Sequence, residues 1–309
     1  MIGKSCRAFA PATVANVGPG FDVLGLAVEG AGDTVTVTRA EDSRIQIRSI
    51  TGDEGRLPLN PNANTAAIAA RATLKRAGVE SGLLIDIEKG LPIGSGLGSS
   101  AASAVAAAVA TNGLIGAPLH PMELIEPCLE AEAAVSGRHA DNIAPALLGG
   151  LVLIRSLSPL DLIRIPTPET LSIAVVTPMI SVSTKHARTV LPKMVPMADA
   201  VQNAANLAAM LVAIQTNDTG LLSRSVVDIL ATPARAHLVP GADVAMSKAL
   251  GQGALGTAMS GAGPSFFALC SAKYVAERCL EVMVSAFSDA GIESRQLISS
   301  INAPGARII

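Results

Sequence analysis

Between the alternating stretch Leu83-Leu-Ile-Asp-Ile-Glu88 and an alanine-rich stretch from about Ser100 to Asn112 lies the run Pro92-Ile-Gly-Ser-Gly-Leu-Gly-Ser-Ser-Ala-Ala-Ser103. Alternation with period two predicts a strand before the run, and the alanine stretch, stopped by Gly113, predicts a helix after it. Gly94, Gly96 and Gly98 let the backbone turn sharply and approach a ligand with no Cβ in the way. The helix that follows offers unpaired N–H groups and the positive end of its dipole. Together these features predict an anion site suited to a di- or triphosphate. Ser99 and Ser100 add hydroxyls able to bind phosphate or Mg2+. A Walker loop is excluded, because Gly98 is followed by Ser99-Ser100 without a lysine. The dinucleotide fingerprint is excluded too, because its third glycine position is Ser99.

Composition narrows the class of partner. The 309 residues suffice for one large or two ordinary domains. Half the residues are hydrophobic but only 2% are aromatic, so the core must be built from Ala, Val, Leu and Ile. That scarcity also removes the stacking platforms of single-stranded nucleic-acid binders. With 23 basic and 25 acidic residues and no run of like charge, neither nucleic acid nor an acidic membrane is expected as a partner. The mean hydropathy of +0.46 raises the question of a membrane span. The most apolar stretch, Ala101 to Ala110, is too short to cross about 30 Å of hydrocarbon. The first ten residues carry no hydrophobic core of signal-peptide length, so a cytoplasmic protein is expected. Cys6, Cys128, Cys270 and Cys279 show no zinc-ligand spacing and are expected as reduced thiols, and the four histidines form no metal motif.

Periodicity predicts strands over 34–38, 45–48, 83–88 and 151–154, and a helix over 62–77 capped by Asn62 or Asn64 and closed by Gly78. A helix is also predicted over 121–135, kinked at Pro127. The pattern loosens around Ser158, Pro159, Pro166 and Pro168, which places a domain boundary there. The second half reads as strands over 171–176, 266–270 and 296–301, with helices over 197–216, 219–230, 243–250 and 272–290. Strands and helices mix without a strict repeat, so α+β is expected rather than a doubly wound sheet.

Three motifs in order carry a resemblance to the GHMP kinases, the family named for galactokinase, homoserine kinase, mevalonate kinase and phosphomevalonate kinase. Pro92 to Ser103 resembles the central motif. Ala10-Pro-Ala-Thr-Val-Ala-Asn-Val-Gly-Pro-Gly-Phe-Asp-Val-Leu-Gly25 resembles the first, and Gly256-Thr-Ala-Met-Ser-Gly-Ala-Gly-Pro-Ser-Phe-Phe-Ala268 the third. The resemblance extends over essentially the whole chain. It implies a two-domain α+β fold, with an N-terminal ATP-binding α/β domain over 1–166 and a C-terminal ferredoxin-like α+β domain over 167–309. It implies an ATP-dependent small-molecule kinase with ATP held by Pro92, Ile93, Gly94, Ser95, Gly96, Leu97, Gly98, Ser99, Ser100, Ala101 and Ala102. Mg2+ would be held by Ser99 and Glu132; Glu130, two residues away on the same helix, would point elsewhere. A homodimer is implied as well.

Pro11-Ala-Thr-Val-Ala-Asn16 followed by Gly20-Phe-Asp22, and Ser136-Gly-Arg-His-Ala-Asp-Asn-Ile-Ala-Pro145 leading into Gly149-Gly150, are similar to the branch of the family that phosphorylates L-homoserine, a step of threonine biosynthesis. That resemblance places the substrate amino acid among Asn16, Asp22, His139, Asp141, Arg188 and Arg235. It gives Asn142, Thr184 and Arg188 a part in the transfer. The chemistry agrees: Arg188 and Arg235 can clamp an α-carboxylate and Asp22 can take an α-ammonium. No dedicated base is expected. Shikimate or mevalonate as the acceptor, or a sensor that keeps the pocket without turnover, are the competing readings.

Overall fold

A computed structural model of the chain describes residues 4–309, without the side chains at positions 184 and 185. The first part runs β1 (Ser5–Ala15), β2 (Leu24–Arg39), β3 (Ile45–Thr51), α1 (Thr65–Arg76), β4 (Leu83–Glu88), α2 (Ser99–Leu114), α3 (Ile125–Ala133), α4 (Ile143–Leu148), β5 (Leu151–Leu157) and β6 (Leu160–Ile165). The second part runs β7 (Ser172–Pro178), α5 (Thr184–Thr189), α6 (Met197–Thr216), α7 (Thr219–Ser225), α8 (Ala231–Ala236), α9 (Ala242–Gly251), β8 (Gly256–Met259), β9 (Phe266–Cys270), α10 (Lys273–Asp289), β10 (Ser294–Ser300) and β11 (Arg307–Ile308).

The long strand β2 organises the first sheet. It pairs antiparallel with β1 along its length, with β4 through 34–39 and with β5 through 24–26. Pro11, which has no N–H for the ladder, sits where the β1–β2 register shifts. β3 lies parallel to β4, and α1 supplies the crossover that a parallel pair needs. β11 returns to the free edge of β1. Against this sheet lies α2, buried on nearly every side. A helix that is apolar all round belongs inside a protein, and alanine combines the smallest side chain with the highest helix propensity.

The second sheet is antiparallel in the order β10-β7-β9-β8. This is the β-α-β-β-α-β arrangement of a ferredoxin-like fold, with α5 to α9 filling the first crossover. Apart from Ser172, Leu171 to Val176 is apolar on both faces because both are covered. Ile173 and Val175 join the core under the first sheet, whereas Ala174 and Val176 join a second core with Phe266 and Phe287 beneath α10.

Local departures from the sequence expectations have local causes. The expected helix over 121–135 is a short 3-10 turn, Pro121–Leu124, followed by α3. Pro127 is the third residue of α3, where a missing N–H costs no intrahelical bond, and the break in the expected helix falls before it, between the 3-10 turn and α3. The expected helix over 219–230 stops at Ser225. The Asp228 carboxylate accepts from the N–H groups of Leu230, Ala231 and Thr232 and starts α8 instead. Of the two expected caps, Asn64 rather than Asn62 caps α1, accepting from the Ala66 N–H at 3.0 Å. The helix long and apolar enough to cross a bilayer, by length and composition alone, is α6 rather than the alanine helix. Asn203 and Asn206 tie α6 to the carbonyls of Pro19 and Val227. The four cysteines are free.

A buried ion pair joins sheet, loop and helix. Lys89 follows β4 and pairs with Asp33 of β2, with side chains 1% and 0% exposed. Lys89 Nζ also donates to the Ser99 carbonyl at 2.8 Å and to Ser103 Oγ at 2.9 Å. Asp33 accepts from the Gly90 and Leu91 N–H groups and from the Ser103 hydroxyl. Removing one partner of such a pair strands a buried charge, at about 3–5 kcal/mol. Asp33→Asn is therefore expected to lower the unfolding free energy in urea by about that amount, whereas the double replacement Asp33→Leu, Lys89→Met recovers most of it. A loss below about 1 kcal/mol for the single variant would contradict this account.

Candidate active site

The glycine run folds into the loop between β4 and α2. Gly94, Gly96 and Gly98 all have positive φ, at 71°, 77° and 67°. A Cβ on Gly96 would stand 2.7 Å from the carbonyl oxygens of Ser260 and Gly263, and one on Gly98 would stand 2.1 Å from Thr13 Oγ1. Gly94 faces open space, so only its backbone angle demands glycine. Gly98 is the N-cap of α2 and supplies no side-chain cap. The first intrahelical bond runs from the Ala102 N–H to the Gly98 carbonyl, so the N–H groups of Ser99, Ser100 and Ala101 have no intrahelical acceptor. Ser95 Oγ is buried without a partner among the described residues.

The turn between β8 and β9 staples this loop from the other side. Ser260 Oγ donates to the Gly96 carbonyl at 2.6 Å, and Ser265 Oγ donates to the Ser95 carbonyl at 2.6 Å. The Gly261 N–H reaches the Ala15 carbonyl at 3.2 Å, so the same turn holds the end of β1.

A cleft of about 370 Å³ opens beside the loop and gathers Asn16, Asp22, Glu132, His139, Asp141, Asn142, Arg188 and Arg235. Asp22 sits in a tight turn with φ 58°, and its N–H donates to Asn16 Oδ1 at 3.1 Å. Its carboxylate takes a bond from Arg188 Nη2 at 2.6 Å, so the residue expected to bind an ammonium is engaged by the residue expected to bind a carboxylate. Arg188 Nη1 lies 3.0 Å from His139 Nε2. A guanidinium can only donate, so Nε2 is the acceptor and the imidazole carries its proton on Nδ1. Burial lowers the His139 pKa; the Asp22 carboxylate opposes this and Arg188 adds to it, which agrees with a neutral ring. Arg235 is 4% exposed and donates to the carbonyls of Ala187 and Gly261, each at 2.8 Å.

Asp141 lies at the floor of the cleft because β2 passes directly beneath it. A Cβ on Gly25 would stand 1.8 Å from the Asp141 carbonyl oxygen. Burial, then repulsion from Asp22 and Glu132, push the Asp141 carboxyl up to about 7. Asn142 accepts from Thr13 Oγ1 at 2.7 Å, which leaves its NH2 group as the donor available to the cleft. Glu132 is buried and bonded to hydroxyls alone, from Ser100 at 2.9 Å and from Ser136. Burial raises its pKa, and the two hydroxyls offset part of that rise. Ser99 lines the cleft beside this pair, and the serine in contact with Glu132 is Ser100. The described residues contain no cluster of three or more His, Cys, Asp or Glu able to hold a metal. A Mg2+ ion that keeps its waters needs only one or two protein oxygens, and Glu132 with a neighbouring serine fits that demand. Thr184 begins α5, and its side chain lies outside the described residues.

Several functional side chains escaped sequence reasoning. Asp33 shares the parity of the inward-facing Val35 and Val37, and a charge on the apolar side of a strand is a readable signal of a buried pair. Thr13, Ser260 and Ser265 lie within motifs, yet only the folded chain reveals what they hold.

Known proteins match the chain over its whole length. The family model described as GHMP kinases N terminal domain matches residues 64–150, and the one described as GHMP kinases C terminal matches 210–289. A homoserine kinase of Chlorobium phaeobacteroides (strain BS1) is 43% identical over 99% of this chain and 100% of its own length. A homoserine kinase of Arabidopsis thaliana is 45% identical over 99% of this chain and 85% of its own. The crystal structure of homoserine kinase from Cytophaga hutchinsonii superposes with a TM-score of 0.97 at 42% identity, covering 100% of this chain and 98% of that one. Matched N- and C-terminal domain models and relatives that run the whole length of the chain place it in the GHMP kinase family, among the homoserine kinases.

Proposed function

We propose that the protein transfers the γ-phosphoryl group of ATP to the side-chain hydroxyl of L-homoserine, giving O-phospho-L-homoserine and ADP. The observation that carries this reading is the charge pattern of the cleft. Two guanidiniums, Arg188 and Arg235, and two carboxylates, Asp22 and Asp141, face one space beside the phosphate loop. A zwitterionic amino acid offers the complementary pair of charges. Shikimate and mevalonate have a carboxylate but nothing positive to set against Asp141, whose burial without a bonded cation disfavours its charged form.

The loop residues Pro92 to Ala102 and the free N–H groups at the start of α2 bind the phosphates, with Ser95 Oγ a further donor. Glu132 and Ser99 would hold the metal, with the Ser100 hydroxyl steadying the carboxylate. When bound, Mg2+ neutralises charge that develops on the transferred group. The Asn142 NH2 group is turned to donate toward the reacting oxygens, and Thr184 contributes beside it. Asn16 and neutral His139 fix the Asp22–Arg188 pair, and Arg188 and Arg235 bind the α-carboxylate. Asp141 receives the ammonium. No residue acts as a dedicated base, because positioning and electrostatics supply most of the catalysis in phosphoryl transfer. The reading further includes a domain boundary at 166/167, a homodimer and a cytoplasmic location.

With Mg-ATP and a panel of L-homoserine, shikimate, mevalonate and galactose, rapid ADP release is expected with L-homoserine alone. Turnover of another member of the panel would overturn the substrate assignment and leave the kinase.

Asp141→Asn is expected to raise KM for L-homoserine more than it lowers kcat. A fall in kcat of about 10⁴ with unchanged KM would instead mark Asp141 as the base. The pH dependence has a definite sign. The ordinary value is 3.8 and the folded value about 7, so the folded state holds the extra proton between them. Stability therefore falls as pH rises through that window. Asp141→Asn should equal the wild type in stability near pH 4 and exceed it at pH 8. In the wild type kcat/KM for L-homoserine should climb with an inflection near 7 as Asp141 ionises, and that limb should vanish in the variant.

A further inference from the structure

Phe21 faces both guanidiniums of the cleft. The central guanidinium carbon of Arg188 lies 5.8 Å from the centroid of its ring, and that of Arg235 lies 5.4 Å away. An aromatic face carries negative charge density and attracts a cation within about 6 Å. The two arginines are otherwise held very differently. Arg188 has a carboxylate, Asp22, at 2.6 Å. Arg235 has two backbone carbonyls and no ion pair among the described residues. Two positive groups this close repel, and Arg188 adds to the burial that holds the Arg235 pKa below its ordinary value.

The backbone on either side of the ring is held in place. Gly20 before it is wedged so that a Cβ would stand 2.4 Å from Leu24 Cβ and 2.7 Å from the Asn16 carbonyl oxygen. Asp22 after it is fixed by the Asn16 side chain. The chain has only five phenylalanines. Phe9 is the partner of Arg307; Phe266, Phe267 and Phe287 are buried in the cores, and Phe21 alone is partly exposed beside two guanidiniums.

We propose that Phe21 is a positioning residue for substrate specificity: its ring holds the Arg188 and Arg235 guanidiniums at a spacing where one carboxylate engages both. Arg188 is then oriented by Asp22 and the ring together, and Arg235 by the ring and two carbonyls. An aliphatic side chain of similar size would fill the space without attracting either cation. This inference rests on the reading that the two arginines bind the carboxylate of the amino-acid substrate.

The test is steady-state kinetics of the full-length enzyme with Mg-ATP and L-homoserine. Phe21→Leu is expected to raise KM for L-homoserine about tenfold, with KM for ATP unchanged and kcat within about threefold, a split that a general loss of structure would not give. Phe21→Trp, which restores a π-face, should return KM to within about threefold of the wild type. Should the leucine variant fail to fold, Phe21→Met serves in its place. In an Arg235→Leu background, Phe21→Leu should add less than about threefold, because residues acting through one another are not additive. A full tenfold increase in that background, or no rescue by tryptophan, would overturn the role of Phe21. An unchanged KM in Arg235→Leu alone would overturn the underlying clamp instead.

Discussion

The buried pairing of Asp33 with Lys89 is the contact on which the nucleotide side of the molecule depends. Charges without solvent survive only when their partners are close and their remaining hydrogen-bonding capacity is used. Here the remaining capacity is spent on the loop itself. Asp33 takes the N–H groups of Gly90 and Leu91 where the loop begins, and Lys89 takes the Ser99 carbonyl where it ends. Both ends of a glycine-rich segment, the most flexible kind of backbone, are thereby fixed to the sheet. The middle is fixed from elsewhere, by Ser260 and Ser265. A loop that must meet several phosphate oxygens at once gains from being ordered before they arrive.

The other half of the cleft is organised by charge rather than by backbone. Asp22, His139 and Arg188 form a chain in which the bonds made by each residue dictate the state of the next. A donor-only guanidinium fixes the imidazole tautomer, and the neutral imidazole leaves the carboxylate to the arginine. Asp141 and Glu132 stand apart, both buried, both with raised pKa values, and neither with a bonded cation. Carboxylates kept in that condition are characteristic of sites that receive positive charge from a ligand.

Much of this was legible in the sequence. The glycine loop and its helix announced themselves through residue types whose backbone demands are specific, and Asn64 and Gly78 marked the ends of α1 in the same way. Leu171 to Val176 read as a strand, although its apolar residues on both faces could not say which two cores it separates. Candidate residues picked out by motif, such as Asn16, Asp22 and Asp141, come together in one cleft. Less readable were the contacts made across long separations. The bonds from Ser260 and Ser265 to the loop, or the meeting of Thr13 with Asn142, depend on which segments the sheets bring together, and local pattern carries no trace of that. Helix ends failed where a side chain intervened, as Asp228 does between α7 and α8.

The staple from Ser265 to Ser95 spans 170 residues of chain. During synthesis the phosphate loop is therefore made long before the turn that holds it, and the strand β7 emerges before α10, which covers one of its two faces. Loop closure over such distances is slow, and its entropy must be met before the contact stabilises anything. The loop is fully held only when the second half of the chain is complete, and the first sheet is complete only when β11 has paired with β1. Competence to hold a nucleotide then arises late, as a property of the completed chain, and a truncated product would fold in part without sequestering ATP.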